Sequence, residues 1–243
     1  MTRLLLGPRA VTEGLRAAPE RIAVVYTEGE ATAAPLAAVV ALAREHKVRH
    51  EPRDRDELDA IAGGSRHQSV LAITGDYPYV GLHELLAACP ERPVLVALDQ
   101  VQDPHNFGAI VRSAVAFGAS GVITLKDRAA PVTAAVVRAS AGATELARIA
   151  RVTNLARTLV ELRERGLQVV GLDAEGTRAL HTVPAQTGGR VLVVGSEGHG
   201  LRRLTREQCD WLARIELRGP LGSLNAAVAA GIAIYESTRQ SGT

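Results

Sequence analysis

Cysteine is nearly absent from this sequence, with only Cys89 and Cys209 among 243 residues. They form no CxxC pair and have no Cys/His spacing suited to zinc, which excludes a disulfide framework and a structural zinc site. A reducing compartment is the expected setting. Aromatic residues are almost as scarce, 3% of the chain with one Trp and two Phe, so the core must be built from Ala, Val and Leu. Neither sign of charge dominates. With 28 Lys and Arg against 26 Asp and Glu the formal charge is +2, which excludes a histone-like binder and requires any nucleic-acid contact to be local. Long hydrophobic runs are also missing. The opening MTRLLLGPRAVTEGL breaks at Gly7 and Pro8, too soon for a signal peptide or membrane helix, and no later stretch reaches spanning length. No membrane association is expected, and the expected location is cytoplasmic.

What is present is the composition of an ordinary globular protein, 47% hydrophobic and 22% charged, long enough for one large or two modest domains. Residues 1–75 read as a small α/β domain, with strands at 22–26 and 70–74 and helices at 33–45 and 58–62. Residues 76–93 read as a linker, because Pro78, Gly81, Pro90 and Pro93 interrupt a short apolar helix around 82–88. Five compact apolar runs follow, at 94–98, 121–125, 168–172, 191–195 and 212–217, with helical patterns at 107–117 and 154–165 between them. Continuously apolar strands are those of a parallel sheet covered by helices on both faces. Residues 94–243 are therefore expected to form a doubly wound α/β domain. Its last helix, 223–239, is expected to start at Ser223 as N-cap and to turn Leu224, Ala227, Val228, Ile232 and Tyr235 toward the core.

Ligands of open α/β sheets bind at the carboxyl ends of the strands, so the residues after each run carry the interest. After the first run comes DQVQDPHNFGAIVR, which puts Asn106 and Gly108 at a helix start and Arg112 one to two turns in. A cation early in a helix gains nothing from the macrodipole; the structural alternative is a solvated Arg beside a turn-forming Asn. After the fourth run comes GSEGHGLRR, from Gly195. Its G-x-x-G-x-G spacing is neither the dinucleotide fingerprint nor a P-loop, and its alternative is an ordinary tight turn. After the fifth come Gly219, Pro220, Gly222, Ser223 and Asn225, where Ser and Asn are alternatively simple helix caps. Three such loops on one sheet edge could build a single site whose exposed backbone groups grip an adenine or a carboxylate. No Ser/His/Asp, Cys/His, paired-carboxylate or metal-ligand pattern accompanies them. The chemistry implied is one that asks mainly for alignment, such as methyl transfer from an already activated sulfonium.

Taken together, DPHNFGAIVRSAVAFGASGVI, LVVGSEGHGLRR and IELRGPLGSLNAAVAAGIAIYE resemble, in order and separation, the three motifs of the SpoU/TrmH family of SPOUT methyltransferases, over residues 94–239. RVTNLARTL, LTREQCD and GGSRHQSVLA are similar more narrowly to the RlmB type, which methylates a guanosine ribose of 23S rRNA. The resemblance implies S-adenosylmethionine as cofactor, no metal, a homodimer, a C-terminal domain tied as a deep trefoil knot, and an N-terminal domain similar to ribosomal protein L30e that helps hold RNA. It assigns Asn106, Arg112, Glu197 and Asn225 to catalysis and Gly195, Gly198, Ile215, Ser223 and Leu224 to the cofactor. In the N-terminal domain it points to Arg9, Arg16, Arg66 and His67 as contacts for RNA phosphates. The usual opening aromatic-Gly-hydrophobic-His is replaced here by Leu6-Gly7-Pro8-Arg9.

The family's proposal makes Arg112 the group that takes the ribose proton. A free guanidinium stays protonated, so the preferred role is bidentate contact with a phosphate that also eases formation of the 2′-oxyanion. The competing readings are the same reaction on a tRNA loop or a resistance-linked rRNA site, and a non-catalytic RNA-binding or ribosome-assembly protein. The four intact catalytic-type residues argue against the last.

Overall fold

The computed structural model describes residues 3–32, 34–184, 188–220 and 222–241. In chain order its first elements are β1 (Arg3–Leu6), α1 (Pro8–Ala17), β2 (Ile22–Glu28), α2 (Leu36–Glu45), β3 (His50–Arg53), α3 (Arg55–Ala62), β4 (Val70–Thr74), α4 (Leu82–Ala87), β5 (Val94–Asp99) and α5 (Pro104–Ala116). Then follow β6 (Gly121–Leu125), α6 (Ala134–Ala139), β7 (Ile149–Val152), α7 (Leu155–Glu164), β8 (Gln168–Leu172), β9 (Arg178–Ala179), β10 (Arg190–Gly195), α8 (Arg203–Arg206), β11 (Trp211–Arg214) and α9 (Ala226–Ser241). The chain divides into two units, Met1–Pro78 with Pro131–Leu146, and Tyr79–Ala130 with Ala147–Thr243. Among the described residues no helix is long and apolar enough to cross a membrane.

The first unit holds a four-stranded sheet in the order β1-β4-β2-β3. β4 runs antiparallel to both neighbours, and β3 lies parallel to β2 at the edge. Local signals explain its helices. Pro8 opens α1 where its missing N–H costs nothing, and Asp54 and Glu57 close a reciprocal capping box on α3. The helix expected from residue 33 starts at Leu36, and Ala33 lies outside the described residues. β1 and β3 escaped the sequence reading because they are four-residue strands, β3 of polar HEPR sequence.

Two expected boundaries differ. The segment read as a linker, 76–93, enters the second unit at Tyr79, because α4 buries Leu85 completely in that unit's core beside Leu95, Ile123 and Leu159. Residues 131–146, expected in the C-terminal domain, cluster with the first unit instead. Arg3 and Glu145 form a buried ion pair there (Nη2–Oε2 2.8 Å), Tyr77 Oη donates to the Thr144 carbonyl at 3.0 Å, and a Cβ on Gly142 would stand 2.9 Å from Ala10 Cα.

The second unit is a parallel sheet in the order β7-β6-β5-β10-β8-β11-β9. Four of its strands match the apolar runs closely, and every residue of β5, β6 and β10 is buried. The fifth run stops being strand at Arg214, so Ile215, Glu216 and Leu217 leave the sheet. Because all strands are parallel, every strand-end loop emerges at one edge.

The last helix requires two corrections. It starts at Ala226, and the residue whose side chain caps it is Asn225 rather than Ser223: Asn225 Oδ1 accepts from the amides of Ala227 (2.9 Å) and Val228 (3.2 Å). Its buried face is Ala227, Ala230, Ala233 and Ile234, while Val228, Ile232 and Tyr235 are 50, 41 and 54% exposed. Small alanines let α9 lie close against α5 and β10, which turns the larger apolar residues outward. Phe117, the residue that caps the end of α5, joins them on the surface.

Candidate active site

The loops after β5 and β10 and the start of α9 converge on one amide. Asp103 caps α5 by accepting from the backbone of His105 (3.1 Å) and Asn106 (3.2 Å), which sets Asn106 at the first turn with its side chain buried. Asn225 Nδ2 donates to Asn106 Oδ1 at 2.9 Å and to Glu197 Oε1 at 2.6 Å. Its Oδ1 is already engaged by two backbone amides, so this side chain uses both its donors and both its acceptor positions. The backbone donors also fix which end of the amide is oxygen. Three of the four residues expected in catalysis are thus joined directly. Arg112 is not joined to them: six residues after Asn106, it lies about 240° round α5 and is exposed, with no hydrogen bond or ion pair to the described residues.

Beside this trio lies a cavity of about 740 Å³ at the carboxyl ends of β10, β8 and β11. All five residues assigned to the cofactor line it: Gly195, Gly198, Ile215, Ser223 and Leu224. Its walls combine apolar Leu172, Val194 and Leu201 with the polar Asp173, Ser196 and Glu216. The departure of Ile215–Leu217 from the sheet is what opens the wall on the β11 side.

The loop after β10 can only be built with glycine at key positions. A Cβ on Gly195 would fall 2.2 Å from the Gly200 carbonyl carbon, because Ser196 and Gly200 exchange backbone hydrogen bonds and fold the loop back on itself. Gly198 and Gly200 both have positive φ, +81° and +62°. The fold-back is held from β5 by Asp99, fully buried, which accepts from Arg202 N at 2.9 Å and Arg202 Nε at 2.6 Å. Asp173, after β8, similarly pairs with Arg206 at 2.6 Å. These two carboxylates and their arginines were missed as site residues; the available signal was an acid closing an apolar run together with the Arg202-Arg203 pair. Among the described residues no group of three or more His, Cys, Asp or Glu could hold a metal ion.

In the first unit Arg9 and Arg66 are exposed, and Arg16 is exposed beside Glu13 at 3.3 Å. His67 is a correction. It is buried with Nε2 3.0 Å from Asp59 Oδ1, so it serves the fold rather than the surface.

A family model described as the SpoU rRNA Methylase family matches residues 93–235, and one described as RNA 2′-O ribose methyltransferase substrate binding matches residues 4–80. The chain is 40% identical over 240 residues to the 23S rRNA (guanosine-2′-O-)-methyltransferase RlmB of Bordetella pertussis, covering 98% of both chains. It is 42% identical over 242 residues to an uncharacterized tRNA/rRNA methyltransferase of Mycolicibacterium vanbaalenii, covering 98% of this chain and 77% of that one. Its structure superposes on the SpoU methyltransferase AviRb of Streptomyces viridochromogenes in complex with AdoMet, with a TM-score of 0.82 at 26% identity over 99% of this chain and 90% of that one.

Proposed function

The chain belongs to the SpoU rRNA methylase family, and on that footing we propose that it transfers the methyl group of S-adenosylmethionine to the 2′-hydroxyl of a guanosine ribose in 23S rRNA. The observation that carries this reading is the Asn225 amide, which ties Asn106 and Glu197 together next to Ser196, Gly198, Leu224 and Ala226 of the cavity lining. The cavity is of the size that encloses a small organic ligand. Three of the residues that its Gly195–Gly200 wall contributes are glycines, whose backbone a ligand can approach closely, which suits an adenine edge and an amino-acid carboxylate. The bound cofactor supplies an already activated methyl group, so no metal and no covalent intermediate are needed.

The protein's own residues then have three tasks. Asp99, through Arg202, holds the fold-back that shapes the cavity. Asn225 fixes the Glu197 carboxylate 2.6 Å from its amide nitrogen, leaving the other carboxylate oxygen to accept from the acceptor ribose. Arg112, exposed and without a partner among the described residues, is available for a bidentate contact with a phosphate of the acceptor strand, where its charge favours the developing 2′-oxyanion.

The same reading covers features of the family beyond the parallel α/β fold. We take the C-terminal unit to be trefoil-knotted, supported by the strand order that threads β10 between β5 and β8. The N-terminal unit is taken as L30e-like and RNA-holding, through Arg9 and Arg66. The protein is taken as a cytoplasmic homodimer. Support for the dimer is the apolar face of Phe117, Val228, Ile232 and Tyr235, with the Phe117 and Tyr235 rings in edge contact at 5.4 Å. That face borders a shallow depression that reaches Asn106 and Asn225, and an isologous contact there would bring a second copy to the rim of the site.

The test is methyl transfer from S-adenosylmethionine to 23S rRNA and tRNA transcripts, with ribose methylation located by mass mapping. A new 2′-O-methylguanosine in 23S rRNA is the expected product. Methylation confined to tRNA would change the substrate, and none in either RNA would refute the reaction.

A further inference from the structure

The carboxyl edge of the parallel sheet continues past the site to β6 and β7, and there the chain places Lys126, Arg128 and Arg157. All three are exposed, and none makes a side-chain hydrogen bond or ion pair with the described residues. Elsewhere in the unit arginines are commonly neutralised: Arg163, Arg202, Arg206 and Arg239 each lie within 4.0 Å of a carboxylate. On a protein of net charge +2, three unpaired cations at one edge are a local excess. The nearby acids are Asp127, between Lys126 and Arg128 in sequence, Asp103, whose carboxylate is occupied as a helix cap, and Glu161, one turn after Arg157 and paired with Arg165 at 3.1 Å.

The positions are also held firmly, as solvated side chains on a loose loop would not be. Lys126 N donates to the Val152 carbonyl at 2.8 Å, and Arg151 Nη2 to the Lys126 carbonyl at 2.6 Å, with its guanidinium 4.6 Å from the Tyr79 ring centroid. Arg128 has a positive φ of +58°, unusual for a side-chain-bearing residue. The loop around it is stitched to the one leading to Asn106 by Ala130 N donating to the Val101 carbonyl (3.0 Å) and Gln102 Nε2 to the Arg128 carbonyl (3.4 Å). Arg157 stands in the first turn of α7, whose start is fixed by Asn154 Oδ1 accepting from Arg157 N at 3.1 Å. Neighbouring parallel strands are about 5 Å apart, so the ends of β6 and β7 lie roughly 5 and 10 Å along the edge from the end of β5.

We infer that Lys126, Arg128 and Arg157 form a phosphate track that seats the RNA strand flanking the acceptor ribose. The inference rests on the proposed function, since it takes the Asn106 loop as the acceptor end of the track. Unpaired cations spaced along a rigid edge suit a polyanionic backbone, and contact with phosphates positions a strand without reading its sequence.

The experiment compares the full-length wild type with the triple variant Lys126→Ala/Arg128→Ala/Arg157→Ala for binding to a 23S rRNA transcript across a salt series. A control triple variant, Arg92→Ala/Arg203→Ala/Arg239→Ala, removes the same charge elsewhere on the unit. The track variant should bind on the order of tenfold more weakly or worse, with a salt slope shallower by about 2. Its S-adenosylmethionine affinity and melting temperature should be unchanged, and its loss of methylation should fall on KM with kcat retained. The single variants Lys126→Gln and Arg157→Gln should each reduce the slope by about 0.7. An unchanged slope, or an equal loss in the control, would overturn the track. Absence of methyl transfer by wild type with the slope difference intact would refute the reaction and leave the track standing.

Discussion

Asn225 does two separable jobs, and two substitutions can part them. Its Oδ1 caps α9 on the amides of Ala227 and Val228, while its Nδ2 donates to Asn106 and Glu197. Asn225→Ala removes both. Loss of an N-cap costs about 1 kcal/mol, and loss of a hydrogen bond to buried Asn106 about another 1 kcal/mol, with the exposed Glu197 contact adding little. At roughly 2–4 °C per kcal/mol for a chain of this size, melting should fall by about 4–8 °C. Asn225→Asp keeps the cap and places an anion where the helix dipole favours it, but it has no donor and faces Glu197 with like charge. Its melting temperature should therefore stay much closer to wild type than the alanine variant's. Methyl transfer should nevertheless fall about 10²-fold in both, the usual scale for losing an organising contact in a preformed polar site. Single-turnover methylation of a 23S rRNA transcript and thermal melting are the two readouts. An Asp variant that methylates at the wild-type rate would refute the role of the Asn106–Asn225–Glu197 chain, and an Ala variant as stable as wild type would refute the cap.

Gly195→Ala should weaken S-adenosylmethionine binding by at least tenfold in calorimetry, because a Cβ 2.2 Å from Gly200 carbonyl carbon forces the cavity wall to move; normal affinity would show that this fold-back does not shape the cofactor site. Arg112→Lys should keep the fold and cofactor affinity but lose roughly 10²–10³ in rate, since an ammonium cannot reproduce a planar bidentate contact. A fully active Lys variant would mean charge alone suffices. Ile232→Glu adds a charge at a position already 41% exposed in the single chain, so it should leave the fold intact and sediment as a monomer; an unchanged dimer would place the interface elsewhere. Burial, reinforced by Asp210 and Asp99, pushes the Cys209 thiol up to about 12. The folded state thus holds this proton more tightly than the unfolded chain, and stability is lost as pH rises from about 9 toward 12. Cys209→Ala should flatten that alkaline loss in urea titrations, and an identical pH profile would contradict the assignment.

Much of the second unit was legible because burial on both faces of a parallel strand leaves a local mark, an unbroken apolar run that needs no partner to be seen. The same holds for the loops that follow, where glycine and short polar residues announce backbone that side chains would obstruct. Helix faces were less legible: Leu, Val, Ile and Tyr mark a stripe on α9 by hydrophobicity, yet close approach to α5 selects alanine and leaves the larger residues outside. The family resemblance points to His67 as an RNA contact, whereas its burial against Asp59 depends on how α3 packs. Partners distant in sequence were not legible at all. Asp99 and Arg202 are 103 residues apart, and Asn106 and Asn225 are 119 apart. They meet only because β5 and β10 are adjacent in parallel register, with Asp99 opposite Gly195, and because α9 packs back on α5. By itself the sequence determined which segments are strands and which loops carry polar, glycine-rich ends. Tertiary structure alone decided which of those ends touch, because strand order and helix contact are set by long-range burial that no local pattern encodes.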